Sequence, residues 1–185
     1  MYIEYRSIAD LNEAIIRNLH IFPHDVDLIV GIPRSGMLPA NLLALYLNKP
    51  FSDIDSFMEG RVYSSGRRGA FISTKKTNKV LIVDDSILAG NALLKVREKL
   101  LQYSSLHPQI SFQYGVIYAS QEGRAKVDFY CEIIEGPRLF QWNLFHQPLI
   151  LPQSILDIDG VLCPNPPIDD DGEQYLEYIR KAPTL

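Results

Sequence analysis

The sequence predicts an α/β fold, a central parallel sheet flanked by helices. Two stretches carry the prediction. Asp27-Leu28-Ile29-Val30-Gly31-Ile32-Pro33-Arg34-Ser35-Gly36-Met37-Leu38 runs from an apolar strand through a glycine-containing turn into an apolar helix. Lys79-Val80-Leu81-Ile82-Val83-Asp84-Asp85-Ser86-Ile87-Leu88-Ala89-Gly90-Asn91 repeats that order, with two adjacent carboxylates where the strand is expected to end. Further strands are expected at Ile110 to Ala119 and Val127 to Ile134, both rich in β-branched and aromatic residues. Strand-helix alternation implies parallel pairing with helices on both faces.

The elements follow in order. Ser7 to Leu19 reads as an amphipathic helix: Ser7 and Asp10 form a capping-box pattern, and Ile8, Leu11, Ile15, Ile16 and Leu19 make its stripe. His20 and His24 flank its end and read as surface or capping residues. Leu28 to Ile32 is a strand, Leu38 to Asn48 a helix, and Pro50 to Phe57 a second strand. Val80 to Val83 is the central strand, and Gly90 to Tyr103 the helix after it. There is no internal repeat and no low-complexity stretch.

Composition narrows the function classes. The chain has 185 residues, 46% apolar and 22% charged, enough for one domain with some excess. Its net charge of −4 argues against a general nucleic-acid binder. No apolar run approaches the roughly 20 residues of a membrane span, and Met1 to Arg6 lacks a signal-peptide pattern. Cys131 and Cys163 form neither a disulfide framework nor a metal spacing, and Cys131 reads as a small core residue. These features fit a reducing cytoplasm.

The two strand-turn-helix stretches carry the chemistry. Strand C-terminus, tight loop and helix N-terminus together present a polar ligand site. Asp84 and Asp85 can hold sugar hydroxyls or a ribose-bound Mg²⁺, and the loop amides and helix dipole can hold a phosphate. Around Arg34, Ser35 and Gly36, consecutive amides can form an anion nest, with Arg34 as a bidentate donor. Between the stretches, Gly60 to Val83 carries Arg61, Arg67, Arg68, Lys75, Lys76 and Lys79 and no acid. It reads either as a solvated basic hairpin or as a lid closing cations over a leaving group.

At these residues the chain resembles the type I phosphoribosyltransferases. Val80 to Ala92 is similar to their signature for 5-phosphoribosyl-1-pyrophosphate (PRPP). The resemblance implies the type I fold with a small hood over residues 1–150 (core about 25–146), a PRPP and Mg²⁺ site, and a homodimer. By the same resemblance Asp84 and Asp85 hold the ribose or, through it, the metal. Ser86, Ile87, Leu88, Ala89, Gly90 and Asn91 hold the 5′-phosphate. Arg34, Ser35 and Gly36 hold pyrophosphate, and lid lysines such as Lys75 and Lys76 close over it. Ala89 and Ala92 stand where the family has threonines, and Leu88 where 6-oxopurine enzymes carry an aspartate.

After the last strand, Leu139-Phe140-Gln141-Trp142 resembles the end of the xanthine-guanine branch. Carried over, Leu139 and Phe140 are base-contact candidates, with Trp142 nearby. Such aromatics are more commonly core residues. Ser120 stands where that branch uses a lysine to touch the purine oxygen. The expected activity is transfer of ribose 5-phosphate to a nucleobase or other nitrogen acceptor, with nucleoside monophosphate and pyrophosphate as products. The alternative is a non-catalytic PRPP or nucleotide sensor or partner module on the same fold.

The tail, 151–185, is a separate matter. Leu156-Asp157-Ile158-Asp159-Gly160 resembles the first motif of haloacid dehalogenase-like phosphatases, in which Asp157 and Asp159 would serve a metal and a phosphoryl group. The other motifs of such a phosphatase are absent, so the tail is expected to be either the start of an incomplete domain of that kind or a packing extension. Glu173 to Lys181 is expected to be helical.

Overall fold

In the computed structural model, residues 3–63, 77–146 and 173–181 are described. The chain divides into two compact units, Met1–Leu144 and Phe145–Leu185. The first unit begins with strand β1 (Glu4–Arg6) and helix α1 (Ile8–Arg17). The capping box is formed as expected: the Asp10 backbone N–H donates to Ser7 Oγ (3.1 Å), and the Ser7 N–H donates to Asp10 Oδ2 (2.7 Å). Leu11, Ala14 and Ile15 make the buried stripe, whereas Ile8 and Ile16 are about half exposed. Ile16 lies roughly 100° around the helix from Ile15, which turns it off the face that meets the sheet.

Five parallel strands form the central sheet: β2 (Leu28–Gly31), β3 (Phe51–Asp53), β4 (Lys79–Ile87), β5 (Ser111–Ala119) and β6 (Phe129–Ile133), in the order β3-β2-β4-β5-β6. Leu28 pairs with Val80 and Gly31 with Val83, so β2 ends beside the middle of β4. Successive residues of a strand face opposite sides. Ile29, Leu81, Val83 and Ile117 therefore pack with α1 and with Ala40, Leu43 and Ala44 of α2 (Met37–Leu47). Leu28, Val30, Val80, Ile82 and Val116 pack with Ile54 and Phe57 of α3 (Ile54–Met58) and with Leu93, Val96 and Leu100 of α4 (Asn91–Leu106).

Two boundaries differ from the sequence reading. Pro50 to Phe57 is a short strand followed by a helix, because Asp53 accepts the Ser56 backbone N–H at 2.9 Å and caps α3. The central strand does not stop at Val83. β5 continues the ladder, pairing Asp84 with Val116, Ser86 with Tyr118 and Ile87 with Ala119, so both acids lie within β4.

The hood is a second sheet of two parallel strands, β1 with β7 (Arg138–Phe140), which places Glu4 beside Arg138 and Arg6 beside Phe140. A 3-10 turn, Gln141–His146, follows. Gln141 Oε1 accepts the Ile8 N–H at 2.8 Å, tying this turn to the start of α1. In the second unit, α5 (Glu173–Lys181) is helical as the sequence predicts. Among the described residues no helix is long and apolar enough to cross a membrane.

Leu81 is fully buried at the centre of the sheet. Leu81→Ala is expected to lower unfolding stability by about 2–5 kcal/mol, measured as a shift of the urea midpoint at unchanged slope.

Candidate functional site

The loop after β2 and the middle of β4 meet at one point. The Ile32 N–H donates to the Val83 carbonyl at 2.9 Å, carrying the parallel ladder one residue beyond β2. The chain then turns through Pro33, Arg34 and Ser35, with a cis peptide between Pro33 and Arg34, and α2 starts at Met37. Gly36 is buried against β4. A Cβ there would lie 2.6 Å from Ile32 O, 2.7 Å from Val83 O and 2.8 Å from Asp84 Oδ1. Only glycine fits, and its absent side chain lets the Asp84 carboxylate rest against the loop. Arg34 is exposed, and its Nη2 reaches Asn143 Oδ1 at 3.4 Å. The structure thus brings Arg34, Ser35 and Gly36 to the same sheet edge as Asp84.

The two acids have different partners, although their carboxyl groups lie close enough to interact with one another. Asp84 and Ser86 line a cavity of about 230 Å³, together with Ile87 to Leu93. Asp85 faces the hood and is only 4% exposed. Its Oδ2 accepts the Trp142 indole N–H at 2.6 Å and a longer contact from Asn143 Nδ2 at 3.4 Å. Asp84 Oδ1 accepts the Asp85 backbone N–H at 2.9 Å. Burial, and after it the charge of Asp85, push the Asp84 carboxyl up to about 8.

The predicted phosphate loop is held from behind. The Ile87 carbonyl accepts the Ser120 N–H at 3.0 Å and Arg138 Nη1 at 3.1 Å. Leu88 O accepts Ser120 Oγ at 3.0 Å, and Ala89 O accepts Lys126 Nζ at 2.7 Å. Three successive carbonyls are therefore tied to groups outside the loop. Gly90 takes φ +82°, a conformation most side chains avoid, and α4 starts at Asn91. The first-turn amides of α4 have no intrahelical acceptor, and Asn91, Ala92 and Leu93 line the cavity. The loop proper is Leu88 to Gly90, because Ser86 and Ile87 belong to the ladder of β4.

Sequence reasoning noted Ser120 only as standing in place of a base-contacting lysine, and it gave no role to Lys126, Arg138 or Asn143. Ser120 is 6% exposed, and its Oγ also accepts the Gly123 N–H at 2.9 Å. It clamps the loop and is not aimed at a base. No motif marks these residues, since each acts across a separation of more than thirty positions in the chain, except that Ser120 and Gly123 are local.

The aromatic candidates divide. The Phe140 ring is 4% exposed and stacks on Tyr118 (centroids 5.4 Å, 18° between planes) and on Trp142 (4.8 Å, 5°). It is a core residue, which corrects its assignment as a cover for a base. Leu139 and Trp142 are half-buried. Cys131 is half-buried as well, and burial pushes its thiol up to about 12, consistent with a small packing residue. His20 and His24 are exposed. Lys75, Lys76, Asp157 and Asp159 lie outside the described residues. Among those described, no group of three or more His, Cys, Asp or Glu is arranged to hold a metal ion.

Residues 3–153 match the family described as the phosphoribosyl transferase domain. Among solved structures, the xanthine-guanine-hypoxanthine phosphoribosyltransferase of Helicobacter pylori superposes with a TM-score of 0.56 at 16% identity, covering 78% of this chain and 95% of that one. A purine phosphoribosyltransferase from Pyrococcus horikoshii gives 0.55 at 22% identity, covering 77% and 94%. At these identities the likeness is one of fold. No curated protein matches the chain.

The shifted Asp84 carries a pH signature. In the folded state it keeps its proton up to about 8, while in the unfolded chain it releases it near the ordinary value of about 4. Stability therefore falls as pH rises between those values and levels off above them. Asp84→Asn removes this dependence. The melting temperature of ligand-free Asp84→Asn, relative to wild type, is expected to rise from about pH 5 to about pH 8. A constant difference across that range would contradict the shift.

Proposed function

The chain belongs to the phosphoribosyltransferase domain family, and on that premise we propose that it binds Mg²⁺·PRPP and transfers the ribose 5-phosphate to a nitrogen acceptor, a nucleobase in the first instance. One observation carries the reading: Asp84 lies between two anion-type loops at the C-terminal edge of adjacent parallel strands. On one side its carboxylate is against Gly36 in the Arg34-Ser35-Gly36 loop. On the other it shares a cavity with Leu88 to Asn91. A ligand carrying pyrophosphate, ribose and a terminal phosphate matches that order of groups.

Each residue then has a task. The 5′-phosphate is held by the amides of Leu88 to Asn91, a backbone site that requires no side-chain hydroxyl. Ser86 and Asn91 can add side-chain hydrogen bonds. Asp84 orients the ribose hydroxyls. Arg34 and the turn around Gly36 hold the pyrophosphate and stabilise the charge that builds on it as the glycosidic bond breaks. Lys75 and Lys76 are proposed to complete that charge from the segment after Tyr63. Mg²⁺ fits the donor set present, since it is usually held by one or two carboxylates together with substrate phosphates. When bound, it neutralises charge on the diphosphate. The two structural neighbours are purine enzymes by description, which makes purines the first acceptors to try.

A second reading, a PRPP or nucleotide sensor without turnover, is favoured by the absence of hydroxyls at Leu88, Ala89 and Ala92 and by the 60% exposure of Leu88. Calorimetric titration with Mg²⁺·PRPP, followed by a pyrophosphate-release assay over a nucleobase panel, separates the two. Binding with release supports the transferase, and binding without release supports the sensor. No binding at millimolar PRPP rejects both.

Two variants extend the test. Above about pH 8, where Asp84 is ionised, Asp84→Asn is expected to weaken PRPP about ten- to a hundredfold, the effect of losing charge-assisted hydrogen bonds. Gly36→Ala drives a methyl into the carbonyls of Ile32 and Val83. Because the methyl also meets Asp84 Oδ1, the variant is expected to abolish measurable pyrophosphate binding and to weaken ribose 5-phosphate binding no more than Asp84→Asn does.

A further inference from the structure

We infer that Trp142 is a positioning residue for Asp85, and that the 3-10 turn bearing it couples the hood to the PRPP site. The inference rests on the reading of that site given above. The indole N–H points at Asp85 Oδ2 at 2.6 Å, short for a nitrogen donor and typical of a charge-assisted bond. Asp85 is buried, and among the described residues its hydrogen-bond donors are Trp142 and Asn143, with the Arg138 charge nearby. Its orientation on the hood side of β4 is therefore set by Trp142, with Asn143 as a weaker second donor.

The indole is itself held. It stacks almost parallel on Phe140, and Phe140 on Tyr118, so ring planes from β7 and β5 fix where the N–H points. The neighbouring residues of the turn bind elsewhere: Gln141 to the start of α1, and Asn143 to Arg34 in the loop after β2. One short turn thus touches the first helix, one acid and the arginine of the other anion loop. With its N–H used by Asp85 and one face used by Phe140, Trp142 serves the acid pair.

Trp142→Phe keeps an aromatic ring on Phe140, removes the donor and gives up part of the indole's volume. In calorimetry with Mg²⁺·PRPP, the variant is expected to bind about tenfold more weakly, the lower end of the effect of losing a hydrogen bond to a charged group. Pyrophosphate alone is expected to bind within about twofold of wild type, which a general loss of structure would not preserve. Asp85→Asn and the double variant complete a thermodynamic cycle. If Trp142 acts through Asp85, Trp142→Phe has little further effect once Asp85 is replaced.

Wild-type affinity for PRPP in Trp142→Phe, or additive losses in the cycle, overturns the proposal while leaving the site reading intact. An equal loss of PRPP and pyrophosphate binding also overturns it, because the residue would then be a packing element only. Wild-type protein that binds no PRPP overturns the site reading and this proposal together.

Discussion

The hydrogen bond from the Ile32 N–H to the Val83 carbonyl is the contact on which the site's geometry depends. It extends the β2–β4 ladder past the last residue of β2. Beyond it, the chain must turn back immediately over β4. The turn brings Gly36 so close that its missing Cβ would fall on the same Val83 carbonyl and on Asp84. A parallel sheet places the ends of adjacent strands at one edge, and this bond decides which atom of β4 faces which atom of the loop. Without that register, Asp84 and the Arg34 loop would be two unrelated surface features.

The cost of the arrangement falls on the acids. Extending β4 through Asp84 and Asp85 gains ladder bonds with β5, yet it buries carboxyl groups that would be solvated in a loop. The two side chains solve the problem differently. Asp85 receives an indole N–H and an amide. Among the described residues Asp84 receives a single backbone N–H, beside a cavity that also holds Ser86 and Asn91, and burial raises its pKa. A buried carboxyl with so little compensation is typical of functional positions and rare in purely structural ones. A polyhydroxyl ligand or a ligand-borne cation would supply the missing partners.

The fold was legible because the signals were periodic. Strand runs at Leu28 and Val80, helices with apolar spacing and the Ser7 capping box are local patterns, and each appears where it was expected. The failures are equally physical. Nothing local in Pro50 to Phe57 announces that Asp53 will cap a helix instead of continuing a strand, since both outcomes use the same apolar residues. The length of β4 is set by β5, a partner that lies about thirty residues on. The different partners of the two acids are set by the continued strand and by Trp142, far along the chain, so one boundary error concealed them. Phe140 looked like a site residue because aromatics suit both a base and a core. Its stacking on Tyr118, a residue twenty-two positions earlier, decides for the core.

The clamped phosphate loop gives the departures from the family pattern a physical meaning. A hydroxyl in such a loop can both touch the anion and stabilise the loop's own backbone. In this chain the second task is done from outside, by Ser120, Arg138 and Lys126 bonding to three successive carbonyls. With the carbonyls held, the amides at the start of α4 are preorganised for an anion, and their orientation costs nothing at the moment of binding. Alanine at positions 89 and 92 then removes direct contacts without loosening the loop. What such a site loses is hydrogen-bond strength toward the phosphate; what it keeps is geometry. The alanines therefore weigh against affinity for the 5′-phosphate more than against the identity of the site.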